Sequence, residues 1–148
     1  MSIDNMSFIS AGSLKNVKFK QRLEVHTVSM PRYFGAFFNQ NQSVLLADKN
    51  VRLALNHATD KREILSQIFD DNGTIVDSPM LPGILDISED IKKYDYNPDE
   101  ASKILQNTGW VKNEEGMLIK NNQKLTLKLT TSSWPELASV AELLKDQW

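Results

Sequence analysis

The sequence predicts an α/β fold in which a mixed sheet is flanked by helices. Three observations carry that expectation. Apolar residues recur at every second position in some stretches and at every third or fourth in others, three helix starts are spelled out by capping residues, and no internal repeat or low-complexity tract intervenes. The 148 residues are 41% hydrophobic and 24% charged, the make-up of one ordinary domain.

From Arg22 to Met30, Leu23, Val25 and Thr27 alternate with Arg22, Glu24 and His26, the period of a strand with one packed face. Pro31 interrupts, and the aromatic-rich run from Arg32 to Asn39 predicts a second strand that bends at Gly35. Beyond the polar stretch Asn39 to Ser43, Val51, Ala54, Leu55 and Ala58 fall on one helical stripe. Asp60 then stands as an N-cap with Glu63 spaced to reach back to it, ahead of the apolar face of Ile64, Leu65, Ile68 and Phe69. Asp70-Asp71-Asn72-Gly73 is turn chemistry with Gly73 free to take positive φ, and a long aperiodic loop through Pro79, Pro82 and Gly83 follows.

Asn97-Pro98-Asp99-Glu100 is a dense helix start: a cap, a proline suited to the first helical position, and two acids at the positive end of the dipole. Ala101, Ile104 and Leu105 form its buried stripe, Gly109 a left-handed terminator, and Trp110 packs back on the last turn. Met117 to Ile119 and Leu125 to Leu129 read as strands around the tight turn Asn121-Asn122, with Leu125, Leu127 and Leu129 inward. Ser133 and Glu136 have capping-box spacing before Leu137, Val140, Ala141, Leu144 and Trp148, a final helix with an uncapped apolar end.

Composition removes several function classes. With 17 basic against 19 acidic side chains and a pI near 5.7, no broad positive footprint exists for a phosphate backbone, and nucleic acid is not expected as a partner. No apolar run approaches the roughly 20 residues of a membrane-crossing helix. The start, MSIDNMSFIS, has no basic leader with an apolar stretch, so a cytoplasmic site of action or a removed leader is expected. The absence of cysteine fits either compartment.

Motifs for chemistry are missing too. His26 and His57 have no second histidine at ligand spacing, no HExxH or DxDxDG pattern occurs, and no metal is expected. Asp70-Asp71 beside Asn-Gly reads as a solvated turn. No G-x-S-x-G elbow or glycine-rich phosphate loop is present, so neither a catalytic role nor a cofactor is expected. The Asn-X-Ser/Thr triplets at Asn5, Asn41 and Asn72 carry little weight in an asparagine-rich chain. Tyr33, Phe34, Phe37 and Phe38 are the most suggestive group, since aromatics on a bending strand either fill a core or wall a ligand cleft. Arg52 and Asp60 suggest a structural ion pair across two helices.

The stretch Phe37 to Leu65 (FFNQNQSVLLADKNVRLALNHATDKREIL) resembles a segment of the extracellular solute-binding proteins of the peptide and nickel type, family 5. In that segment a strand ending in Asn leads to Asp-x-x-Val-Arg-x-Ala-Leu, then Ala-x-Asp-Arg/Lys and an apolar helix. Downstream, Ser78-Pro79 and Leu81-Pro82-Gly83 resemble the family's proline-rich loop, Tyr94 to Ala101 its YDP-x-x-A helix start, and Leu105 to Trp110 its LL-x-x-A-G-W/F ending. Ile3-Asp4 and Arg22 to Phe38 match more loosely. The sequence departs at Thr108-Gly109, at Asn in place of the hairpin glycine, and at Leu53 after the arginine.

The resemblance implies a two-lobed, type II periplasmic-binding-protein-like fold far longer than this chain. Residues 1–38 would then be the end of a first-lobe segment with a crossover strand, and 39–148 an incomplete second lobe. It implies capture of a short peptide, or of a nickel chelate or sugar, by closure of the two lobes. Delivery would be to an ABC permease from the periplasm or from a cell-surface lipoprotein. On that basis Gly35 is the expected hinge, Tyr33, Phe34, Phe37 and Asn39 are expected to touch ligand, and ligand selection is expected beyond Trp148. The competing expectation is a free-standing small α/β interaction module.

Overall fold

The computed structural model describes residues 24, 26, 33–79 and 91–148. The strand expected from Arg22 to Met30 therefore lies outside the described residues apart from Glu24 and His26, and the centre of the proline-rich loop lies outside them as well.

Two short helices open the described chain. Ser43 caps α1 (Val44–Ala47) by accepting from the Leu46 N–H at 3.2 Å, and Asp48 caps α2 (Lys49–His57) by accepting from Asn50 at 2.8 Å. α1 follows the polar stretch Asn39 to Ser43 and precedes the stripe that starts at Val51, in residues to which the sequence reading assigned no element. Asp60 then caps α3 (Lys61–Phe69) by accepting from both Arg62 and Glu63 N–H, at 2.9 and 3.0 Å. Glu63 does not reach back, however. The Asp60 N–H donates instead to Gln147 Oε1 at 3.1 Å, and Glu63 accepts from Gln147 Nε2 at 2.8 Å. A tertiary partner has replaced the local half of the capping box.

α3 ends through Asp70 and Asp71, at φ 50° and 59°, whose N–H groups both donate to Leu65 O. The left-handed conformation expected of Gly73 is thus taken earlier by two aspartates, because the helix terminus needs it there. Gly73 serves close approach instead: a Cβ would lie 3.2 Å from Leu65 Cδ1.

α4 (Pro98–Asn107) begins as read, with Asn97 Oδ1 accepting from Glu100 N–H at 3.0 Å. It ends on Gly109 at φ 91°, with the Trp110 N–H returned to Leu105 O at 3.0 Å. Trp110, only 3% exposed, is thereby driven into the core. That core lies between α2 and α4: Val51, Ala54 and Leu55 face Ala101 and Leu105, with Trp110 closing one end.

Trp110 leads directly into β1 (Val111–Lys112), which pairs antiparallel with β2 (Leu118–Lys120) in the register Val111 opposite Ile119. β2 pairs antiparallel with β3 (Gln123–Lys124) across Asn121 and Asn122, at φ 50° and 61° as their side chains permit. The sheet among the described residues is three-stranded and wholly antiparallel, so the mixed character expected is not carried by these strands. The strand expected from Leu125 to Leu129 does not form either. Leu125 and Leu127 pack against the core, but Leu129 is 42% exposed rather than inward.

α5 (Pro135–Gln147) starts without the expected Ser133–Glu136 box; Trp134 is the N-cap and makes no side-chain capping bond. Pro135 decides the start, because its ring pre-sets helical φ and disfavours helical backbone in the residue before it. The helix packs on α3. No helix among the described residues is long and apolar enough to cross a membrane.

Candidate functional site

Residues 33–39 hold four of the expected site residues and the expected hinge, and they form no strand: no ladder partner is available among the described residues. Side-chain placement nevertheless alternates. The position of a Cβ on Gly35 lies 3.5 Å from Tyr33 Cε2 and 3.8 Å from Phe37 Cε2, so Tyr33 and Phe37 flank one face of the glycine. Phe38, half-buried, packs against the core, whereas Phe34 remains 41% exposed while its ring meets another element. Phe34 stacks on Phe69 of α3 at 5.3 Å between centroids, and Phe38 meets Trp148 at 6.2 Å.

This alternation divides the aromatic group that the sequence treated as a unit. Phe37 is 82% exposed and gains almost nothing from folding, although burying such a side chain contributes roughly 1.5–3 kcal/mol. Asn39 accepts from Gln42 N–H through Oδ1 at 3.2 Å, closing the turn that leads into α1. Gly35 is not in the left-handed region, and the space around it admits a Cβ at ordinary contact distance. Its conformation does not demand glycine.

Arg52 and Asp60 do not form the expected ion pair. The guanidinium of Arg52 donates through Nη1 to Leu46 O at 2.7 Å and Ala47 O at 2.9 Å, while Asp60 is occupied with capping. Arg52 closes the carbonyl end of α1, a need that charge pairing in the sequence does not reveal.

One open depression of about 440 Å³ is lined by Asp60, Arg62, Glu63, Leu65, Asp71 and Ile75, among others, and by none of the expected ligand residues. Its Asp60 and Glu63 are already engaged by α3 and by Gln147. His57 sets Nδ1 against the Asp95 carbonyl oxygen at 2.9 Å and its ring edge against Tyr94. Among the described residues no group of three or more side chains stands ready for a metal ion.

Residues 2–148 match the family described as bacterial extracellular solute-binding proteins, family 5 Middle. This chain belongs to family 5. The oligopeptide-binding protein AppA of Bacillus subtilis (strain 168) is 35% identical over 131 residues, covering 86% of this chain and 24% of its own. The structure of AppA in complex with a nonapeptide superposes with a TM-score of 0.66 at 31% identity, over 72% of this chain and 22% of that one. NikZ from Campylobacter jejuni, in complex with Ni(L-His), gives 0.67 at 30% identity over 75% and 22%. The chain therefore spans about a quarter of the length of these family 5 relatives, and its fold class is the α/β, type II arrangement of periplasmic binding proteins. Family 5 proteins are binding proteins that work outside the cytoplasm.

Proposed function

We propose that these residues belong to the substrate-binding component of an ABC importer that captures short peptides by closing two lobes. Residues 1–38 contribute the end of a first-lobe segment and the crossover, and residues 39–148 part of the second lobe. The observation that supports this reading is the 35% identity with an oligopeptide-binding protein, sustained over 131 residues.

The aromatic segment suits the role. Phe34 and Phe38 touch Phe69 of α3 and Trp148, while Tyr33 and Phe37 flank Gly35 and Phe37 is left 82% exposed. Apolar rings and a bare backbone offer stacking and close approach to a peptide without selecting one sequence. Gly35 is the flexing point, and only contacts made better in the closed form shift the equilibrium toward it. Asn39 lies at the ligand-facing end of the segment. No bond is made or broken in this reading; the protein holds its solute in the periplasm or at the cell surface and passes it to a permease.

The test is calorimetric titration of the longer polypeptide encoded by the source gene with a mixture of short peptides, and in parallel with nickel and histidine. Saturable binding of peptide supports the proposal. Binding of the nickel chelate alone, or of neither, overturns it.

A further inference from the structure

Asn72 is followed by Gly73, and no other asparagine in the sequence precedes a glycine. That pairing carries a reaction of its own. The backbone nitrogen of the following residue can attack the asparagine side-chain carbonyl carbon, and glycine, with no Cβ, obstructs the approach least. Both residues are exposed, in the turn that follows α3.

The fold gives Asn72 a task that depends on its amide nitrogen. Nδ2 donates to Phe69 O and to Asp70 O, each at 3.1 Å, and the Asn72 backbone N–H donates to Phe69 O at 2.8 Å. One side chain thus meets carbonyls at the end of α3. The same geometry holds the reaction back. The departing amide is tied to two acceptors, and the Gly73 N–H, which must lose its proton, donates to Asp71 O at 3.1 Å. These bonds are exposed and sit at a helix end, where segments open locally without global unfolding.

We propose that Asn72 is a self-modification site, deamidating through local opening of the α3 terminus, and that the modified chain cannot rebuild that terminus. On opening, the Gly73 nitrogen bonds to Asn72 Cγ, the Cγ–Nδ2 bond breaks, and ammonia leaves with the proton that the Gly73 nitrogen gives up. The product is a five-membered succinimide. Water then adds to either ring carbonyl and opens the ring to aspartate or, with the main chain rerouted through the side chain, to isoaspartate. The only co-reactant is water.

Either product is wrong for the cap. Aspartate sets a carboxylate where an N–H donor met two carbonyl oxygens, at the negative end of the α3 dipole and directly after Asp70 and Asp71. Isoaspartate also adds a carbon to the main chain, moving Gly73 from its close approach to Leu65, where a Cβ would lie 3.2 Å from Cδ1. Phe69, whose carbonyl loses its side-chain donor, is the residue that stacks on Phe34, so the loosening reaches the aromatic segment.

The longer polypeptide encoded by the source gene is incubated in mildly alkaline buffer, native and in urea, and proteolytic mass spectrometry follows each asparagine. In the native sample conversion is expected at Asn72 ahead of every other asparagine, with isoaspartate among the products. Its rate is expected to be at least about tenfold below that in urea, because the capping hydrogen bonds must first open. In parallel, Asn72→Asp is expected to speed hydrogen exchange of the backbone amides at positions 70–72 by about tenfold. An intact Asn72 in the native sample while the urea sample converts overturns the site. A native rate equal to or above that in urea overturns the gating by local opening. Unchanged exchange in Asn72→Asp overturns the dependence of the cap on the amide.

Discussion

The indole N–H of Trp148 donates to Thr59 Oγ1 at 2.9 Å, joining residues 89 positions apart. The same ring lies 6.2 Å from that of Phe38, and the neighbouring Gln147 side chain accepts from Asp60 N–H and donates to Glu63. The last turn of α5 therefore clamps the junction of α2 and α3 and also seats the inner side of the aromatic segment. The junction and the seat of Phe38 therefore share one tryptophan.

Trp148→Phe keeps most of the apolar contact and loses the hydrogen bond, and is expected to cost about 1 kcal/mol. Trp148→Ala also removes the ring from Phe38 and is expected to cost at least about 2 kcal/mol. Urea denaturation of the two variants checks the order; equal losses would show that the hydrogen bond, not the ring, carries the contact.

Arg52→Ala leaves the Leu46 and Ala47 carbonyls without their donor and is expected to cost about 1–2 kcal/mol. Because Arg52 does not pair with Asp60, the effects of Arg52→Ala and Asp60→Ala should add to within about 0.5 kcal/mol. A double-mutant cycle by denaturant melting reads this directly, and a larger coupling would restore the ion pair. Ligand affinity should not change with Arg52.

Phe37 and Phe38 should behave oppositely. In the longer polypeptide Phe37→Ala is expected to leave the melting temperature unchanged and to weaken peptide binding by roughly 0.5–1.5 kcal/mol, the contribution of an aromatic contact. Phe38→Ala should lower the melting temperature through loss of the Trp148 contact. Unchanged peptide affinity for Phe37→Ala would remove Phe37 from the ligand site.

Asn122→Ala puts a Cβ residue without a local hydrogen-bonding side chain at φ 61° and should cost about 1 kcal/mol, whereas Asn122→Gly should be nearly neutral. Thermal melting of the two variants distinguishes a turn that depends on left-handed backbone from one held by its neighbours.

Much of the local chemistry was legible, though not the start of α5 or the turn after α3. Asp60, Asn97, Gly109 and the Asn121-Asn122 pair act within a few residues of themselves, and each does what its side chain or lack of one allows. The stripes of α2 and α4 likewise named the core before any packing was visible. Pro135 was the stronger signal at the start of α5, and its neighbours' capping-box spacing obscured it.

What only the tertiary structure decided is where groups without a local partner went. The Asp60 N–H found Gln147 rather than Glu63, the Arg52 guanidinium found carbonyls rather than a carboxylate, and Phe34 and Phe37 fell on opposite sides of one segment. Period two tells which residues share a face but not which neighbour supplies the ladder, so Leu125 to Leu129 have the pattern of a strand without the hydrogen bonds of one. Short-range hydrogen bonds are written in the order of the residues. Long-range ones depend on which surfaces remain open once the apolar faces of α2 and α4 have met.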